Sequence, residues 1–156
     1  MALLACLLLA LAATLSLAAP WLSQMQVQSA ARIWPTAPAS AYSRLDEAAR
    51  LNPLSDEAYL IAGSIALRFG DLSRADREFS LALGRVPADA YATLERGAIA
   101  SSRGQSREAQ RLLEAAVRLD PHDLLTRQAL QLVREGRRLS VEELNRSILL
   151  KAHQFA

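Results

Sequence analysis

Residues 56–89 decide the fold, and they read DEAYLIAGSIALRFGDLSRADREFSLALGRVPAD. Two helix-compatible segments in this stretch are separated by Gly70-Asp71, and the second is closed by Pro87. Glycine adopts the left-handed backbone that ends a helix, aspartate caps the following helix, and proline interrupts helical hydrogen bonding. The stretch therefore predicts two helices joined by a tight turn.

The same features recur at an interval of thirty-four residues. The columns that keep this interval are Pro53, Pro87 and Pro121; Gly63 and Gly97; Gly70 and Gly104; Ala41, Ala75 and Ala109; and Ala48, Ala82 and Ala116. A fixed period of this length is typical of a solenoid built from repeated helix pairs. A glycine within a helix costs about 1 kcal/mol relative to alanine, so it needs a packing reason. We expect Gly63 and Gly97 to lie where partner helices approach closely, with Phe79 filling the space between them.

The columns resemble the tetratricopeptide repeat family. The family's order of aromatic, glycine, alanine, aromatic, alanine and proline is matched by Tyr59, Gly63, Ala75, Phe79, Ala82 and Pro87. The next unit departs from the pattern with Thr93, Arg96 and Leu113, and an earlier, fainter unit would begin with a helix over Met25–Trp34. The resemblance implies an all-α fold, a right-handed α-solenoid with repeats at 23–55, 56–89 and 90–123.

The period fades after Pro121. An amphipathic pattern predicts a helix from Leu124 to Glu135 that ends near Gly136, and Ser140 with Glu143 forms a capping box that opens a last helix. The ends of a solenoid need caps whose outer faces tolerate water. We therefore interpret residues 124–156 as C-terminal capping helices.

The first residues have a different character. No charged side chain precedes Arg32, and Ala2–Ala19 is apolar except for Thr14 and Ser16. A helix of this length extends about 27 Å, close to the hydrocarbon thickness of a bilayer. Residues 1–22 therefore predict a single-pass transmembrane anchor ahead of the solenoid, and the basic residues after it predict a cytoplasmic repeat domain. A cleaved signal peptide is the alternative.

The composition and the isolated polar residues do not indicate an enzyme. The formal charge is +2, and Arg alternates with acidic residues instead of forming the basic patch of a nucleic-acid binder. His122 and His153 have no second ligand at metal-binding spacing, and the pairs Asp56-Glu57 and Glu142-Glu143 stand at helix starts, where carboxylates offset the helix dipole. We predict no catalytic residues, no metal, no cofactor and no nucleic-acid partner.

The resemblance implies a concave groove lined by the first helix of each repeat. On the family pattern, its lining residues are Glu57, Leu60, Ser64, Leu67, Arg68, Tyr91, Leu94, Ala98 and Ser101. Modules of this family that clamp a C-terminal carboxylate use Lys and Asn where this chain has Leu60 and Ser64, so that mode of binding is not expected. The mixed apolar and polar lining suits an amphipathic helix or an extended peptide. The alternative is that capping helices cover several of these residues.

Three functions are consistent with the sequence. The first is a membrane-anchored scaffold that binds a protein or peptide partner at the membrane surface. The second follows from a looser resemblance to the C-terminal tail of bacterial O-antigen ligase-like membrane proteins, carried by Pro20-Trp21-Leu22, Ala31-Arg32-Ile33-Trp34 and Leu51-Asn52-Pro53-Leu54-Ser55. It implies a detached or truncated tail of such a polysaccharide enzyme, with an assembly or regulatory role and association with polysaccharide-assembly machinery. The third is a secreted or periplasmic repeat protein whose apolar start is removed.

Overall fold

The computed structural model describes the backbone of residues 2–154 and the side chains of residues 18–148, and every element within that part is an α-helix. Residues that lose little side-chain entropy in a helix, Ala, Leu and Arg, dominate these segments. In chain order the helices are α1 Ala2–Ile33, α2 Pro38–Leu51, α3 Glu57–Arg68, α4 Leu72–Arg85, α5 Ala90–Ser102, α6 Ser106–Leu119, α7 Leu124–Arg134 and α8 Val141–Gln154.

The helices pack as consecutive pairs. The closest pairs are α1 with α2, α3 with α4, and α5 with α6, and the second helix of each pair also packs on the first helix of the next. This order of contacts is that of a helical solenoid, in which each unit touches its neighbours in the sequence. The all-α solenoid predicted from the thirty-four-residue period is therefore confirmed.

The turns carry the predicted chemistry. Gly70 and Gly104 have φ angles of 71° and 76°, the left-handed region expected where the first helix of each pair ends. Asp71 caps α4, because its Oδ1 accepts a hydrogen bond from the Arg74 N–H at 2.9 Å. Asp89 caps α5 in the same way. The turns predicted at Gly70 and Gly104 and the cap predicted at Asp71 are confirmed, whereas the cap at Asp89 was not predicted.

Large buried side chains recur in the core at the thirty-four-residue interval of the sequence repeat. Leu45, Phe79 and Leu113 are thirty-four residues apart, and all three are among the largest fully buried side chains. A Cβ on Gly63 would lie 2.8 Å from the ring of Phe79, and one on Gly97 would lie 2.9 Å from Cγ of Leu113. Both distances are shorter than van der Waals contact allows, so these glycines let neighbouring helices approach as predicted.

Buried apolar side chains form two clusters. The smaller cluster joins α1, α2 and the first part of α3, and includes Val27, Leu45 and Ile65. The larger cluster extends from the end of α3 to α8, and includes Phe79, Ile99 and Leu113. Tyr59 packs against both. The interior is thus continuous along the solenoid, with a narrow connection at α3.

Helix α1 differs from the expected N-terminal arrangement. It continues without a break from Ala2 to Ile33 with Pro20 inside it, so the helix expected to begin at Met25 is the C-terminal part of a longer one. A single proline removes one backbone hydrogen bond, and the leucines and alanines around it are good helix formers. The side chains of residues 1–17, which make up most of the predicted anchor, lie outside those described. Within the described residues, no helix has the length and apolar character required to span a membrane.

Candidate partner-binding groove

The groove predicted from the repeats lies along α3 and α5. Five of its predicted lining residues are on α3 and four are on α5. Leu60, Ser64, Leu67 and Tyr91 are half-buried, and Leu60, Leu67 and Tyr91 pack against the larger cluster. These side chains are accessible enough to contact another molecule.

A hydrogen bond joins the two helices at the middle of the groove. The Ser64 hydroxyl donates to the Leu60 carbonyl oxygen at 2.8 Å. Because its single proton is used there, the Tyr91 hydroxyl donates to Ser64 Oγ, at 3.0 Å. The Tyr91 ring also packs edge-to-face against Phe79, with 5.8 Å between ring centroids. This side chain therefore has a fixed position, set by the core on one side and by Ser64 on the other.

The ends of the predicted lining on α3 have other contacts. Glu57 is half-buried beside α1, where its Oε1 accepts a hydrogen bond from Gln24 Nε2 at 3.5 Å. Arg68 is exposed, and its guanidinium carbon lies 5.9 Å from the centroid of the Trp34 ring. Both side chains thus contact α1 or the turn after it, at the border between the first and second pairs of helices.

The remaining predicted residues are buried. Leu94, Ala98 and Ser101 are at most 5% exposed, and α8 packs on α5 where they lie. The Leu139 N–H, just ahead of α8, donates to Ser101 Oγ at 3.0 Å. The structure thus brings the α3 residues and Tyr91 to an accessible face, and it covers this part of α5 with the C-terminal segment. Their role in binding a partner stays a prediction.

The groove contains a buried acid that the sequence analysis did not single out. Glu95, one turn along α5 from Tyr91, is fully buried, and neither of its carboxyl oxygens has a hydrogen-bond partner among the described residues. Burial raises the pKa of Glu95 to about 8. Burial also raises the pKa of Tyr91. The acid is therefore protonated at neutral pH.

The departures from the repeat pattern on α5 have structural explanations. Arg96 stands where the family has leucine, and its Nε donates to Asp76 Oδ1 at 2.9 Å, which joins α5 to α4. Thr93, at the aromatic position, is buried and donates to the Asp89 carbonyl oxygen at 2.7 Å. Across the side chains that the structure describes, no group of three His, Cys, Asp or Glu could hold a metal ion.

Comparison with solved structures places this fold among tetratricopeptide domains. The chain is similar to the tetratricopeptide domain of Arabidopsis OM64, with a TM-score of 0.65, 18% identity, and coverage of 75% of this chain and 98% of that one. It is similar to the first such domain of Spaghetti (RPAP3), solved bound to the HSP90 peptide SRMEEVD, with a TM-score of 0.66, 14% identity, and coverage of 75% and 94%. The crystal structure of MamA gives a TM-score of 0.64 and 22% identity, and coverage is 73% and 67%.

These similarities support the fold resemblance drawn from the sequence. No family model matches the chain, and no curated protein is significantly similar to it. The looser resemblance to the tail of O-antigen ligase-like membrane proteins is not shown by these comparisons, and it stays a prediction. What the comparisons establish is the tetratricopeptide-like architecture on which the groove is built.

Proposed function

We propose that this chain is a scaffold that binds a segment of another protein in the groove of α3 and α5. The observation that carries the proposal is the half-buried lining of Leu60, Ser64, Leu67 and Tyr91 on a tetratricopeptide-like solenoid. Accessible apolar side chains in a concave surface favour association, because their contact with water ends when a partner covers them. The similar domain of RPAP3 was solved with a peptide bound, which supports a binding role for the same fold here.

The groove chemistry favours a partner unlike the acidic peptide in that structure. Leu60 and Ser64 are uncharged, and they stand where carboxylate-clamping modules carry basic and amide side chains. A peptide recognised here would present apolar side chains to Leu60, Leu67 and Tyr91. Its polar groups would remain at the rim, where Glu57 and Arg68 lie, and the proposed contacts include no metal, cofactor or nucleic acid.

Co-purification with matched variants tests this function. The full chain would be purified under native conditions from its own cells, as the wild type, as Leu60→Glu and as Leu54→Glu. Leu54 is 86% exposed and lies outside the groove, so its variant controls for the added charge. We expect one protein to accompany the wild type and Leu54→Glu, and to be lost with Leu60→Glu while helicity is unchanged. Equal recovery with both variants would reject the groove as the binding surface.

We propose in addition that residues 1–22 attach this scaffold to a membrane, with the repeats on the cytoplasmic side. Support comes from the apolar sequence up to Ala19 and from Trp21, which is 64% exposed and has the side chain preferred at a membrane interface. Fractionation with N-terminal sequencing tests this part. Recovery in the membrane fraction with an intact N-terminus is expected. A mature chain that starts near Ala19 would indicate a cleaved signal peptide instead.

A further inference from the structure

The C-terminal helix α8 lies lengthwise along α5, which forms one side of the predicted groove. It begins beside the C-terminal end of α5, where the Leu139 N–H donates to Ser101 Oγ. Seven residues into the helix, Ile148 shares a pocket with Ala90, Tyr91 and Leu94 at the other end of α5. Helix α8 therefore runs antiparallel to α5. It packs on α5 as well as on α7, the helix that precedes it, whereas a helix that continued the solenoid pairing would pack mainly on its predecessor.

The described part of α8 is held in the groove by apolar side chains. Val141 and Leu144 are buried in the larger cluster and Ile148 packs against it, which gives contacts at positions i, i+3 and i+7 of one helix face. The hydrogen bonds and ion pairs that the structure shows for side chains 141–148 are internal to α8, such as Arg146 to Glu142 and Asn145 Nδ2 to the Val141 carbonyl oxygen. Helix α8 is therefore held by the packing of apolar side chains on one face and not by polar contacts to other helices.

The fit of α8 against α3 is incomplete. A cleft of about 740 Å³ separates the end of α3 from the start of α8, and Leu67, Phe69, Leu72 and Val141 contribute to its walls. Phe69 is more than half exposed there. The groove thus has apolar surface that α8 does not fill, and a bulkier helix in the same place would bury more of it.

We propose that α8 is a displaceable internal ligand, and that the partner segment is an amphipathic helix with apolar side chains at i, i+3 and i+7, bound antiparallel to α5. This inference rests on the proposed function and specifies the partner for that groove. The helix seated there in the structure shows the size, direction and chemistry that the groove accepts. Helix α8 and the partner compete for Tyr91 and Leu94, so release of α8 increases the affinity for the partner.

Peptide binding to the full chain tests this competition. The probe is a fluorescein-labelled peptide with the sequence of residues 139–156, followed by fluorescence anisotropy. The chains compared are the wild type, Leu144→Glu, which places a charge on the buried face of α8, and Ser147→Glu, which places it on the exposed face. We expect Leu144→Glu to bind the peptide at least tenfold more tightly than the wild type, and Ser147→Glu to match the wild type. The peptide that itself carries Leu144→Glu should not bind.

A measurement on the unmodified chain covers the case in which Leu144→Glu fails to fold. Backbone amides of α8 should lose protection from hydrogen exchange when the labelled peptide is added in excess, whereas amides of α3 and α5 should keep theirs. Unchanged protection in α8 at saturating peptide would overturn the proposal. So would equal affinity of a folded Leu144→Glu and the wild type.

Three further outcomes are distinguishable. A wild-type chain that is dimeric by light scattering, and becomes monomeric with Leu144→Glu, would assign the groove to α8 of a second copy and overturn the partner assignment. If Leu60→Glu abolishes co-purification but the peptide never binds, the scaffold function holds and this inference fails. If the peptide displaces α8 and no protein co-purifies, α8 is displaceable, but the scaffold function fails and the assignment of the partner fails with it.

Discussion

Glu95 is an acid buried at the centre of the solenoid without a hydrogen-bond partner among the described residues. Its pKa of about 8 in the folded chain is well above the ordinary value of 4.5. Between these two pH values the unfolded chain releases the proton and the folded chain keeps it. The contribution of Glu95 to the free energy of unfolding therefore falls as pH rises from about 4.5 to about 8, and it is constant above that range.

We predict that Glu95→Gln removes most of this decline. A rise of this size in pKa corresponds to a loss of several kcal/mol over the interval, on the order of 1.4 kcal/mol for each pH unit. Urea unfolding at pH 5, 6, 7 and 8 measures the slope of the free energy of unfolding against pH. Any destabilisation from burial of the glutamine amide is the same at every pH, so it leaves this slope unchanged. Glu78→Gln is the control, because Glu78 is also buried but is ion-paired with Arg74 at 3.5 Å. If Glu95→Gln retained the wild-type slope, Glu95 would not be the acid responsible.

At the scale of single residues, the sequence predicted the packing role of residues that are uncommon in their type of secondary structure. A mid-helix glycine indicates close packing, and Gly63 and Gly97 have that role. Glu95 stands in the run Thr93-Leu94-Glu95-Arg96, where a charged residue is ordinarily a solvated one. Nothing in that run distinguishes the buried acid from its neighbour Arg96, which pairs with Asp76. Only the packing of α5 against its neighbours separates their environments.

At the scale of the helices, close contact between neighbouring helices determines stability. Two glycines, Gly63 in a tight contact and Gly84 in an open position, allow this to be tested. We predict that Gly63→Leu lowers the free energy of unfolding by about 1–3 kcal/mol, because the added side chain would overlap the ring of Phe79, which is fully buried. Gly84→Leu makes the same change in α4, where no atom beyond the chain neighbours and the local helix backbone lies within 4 Å of the added Cβ. That variant should be as stable as the wild type or more so, since leucine favours the helix over glycine. Chemical denaturation measures both; equal stabilities would contradict the repeat register.

The elements themselves could be predicted because their ends carry local signals. Glycines at positive φ and capping aspartates marked the turns within and between pairs, and the Glu143 N–H donates to Ser140 Oγ at the predicted start of the last helix. The partner of that helix could not be predicted. Periodicity shows which face of α8 is apolar, but the docking of this face on α5, and not on α7 alone, depends on long-range geometry.

For the whole molecule, the two apolar clusters imply that each part is held together more strongly than the two parts are held to each other. Tyr59 is the side chain that packs against both clusters among the described residues, and the guanidinium carbon of Arg85 lies 5.8 Å from the centroid of its ring. The cooperativity of unfolding between neighbouring units of a solenoid depends on the contacts at the interface between them. Loss of this ring weakens the interface without removing either cluster.

We predict that Tyr59→Ala uncouples the first helix pair from the rest. Amides of α2 should exchange with solvent at least tenfold faster than in the wild type, whereas amides of α6 should change little. Hydrogen exchange resolved by mass spectrometry measures both regions in one experiment. Val27→Ala is the comparison, because Val27 lies on α1 and belongs to the smaller cluster alone. A uniform acceleration in α2 and α6 after Tyr59→Ala would show that the molecule opens as a single unit.

The connection between α7 and α8 is short, and it has a consequence for which molecules the chain responds to. Residues 135–140 join the two helices, and Leu139 within them is tied to Ser101. A segment on so short a tether returns at an effective concentration in the millimolar range. A partner helix of low affinity or low concentration is therefore outcompeted by α8, which stays attached to the chain. The connection thus sets a threshold, and only a helix that is abundant or better matched than α8 remains bound.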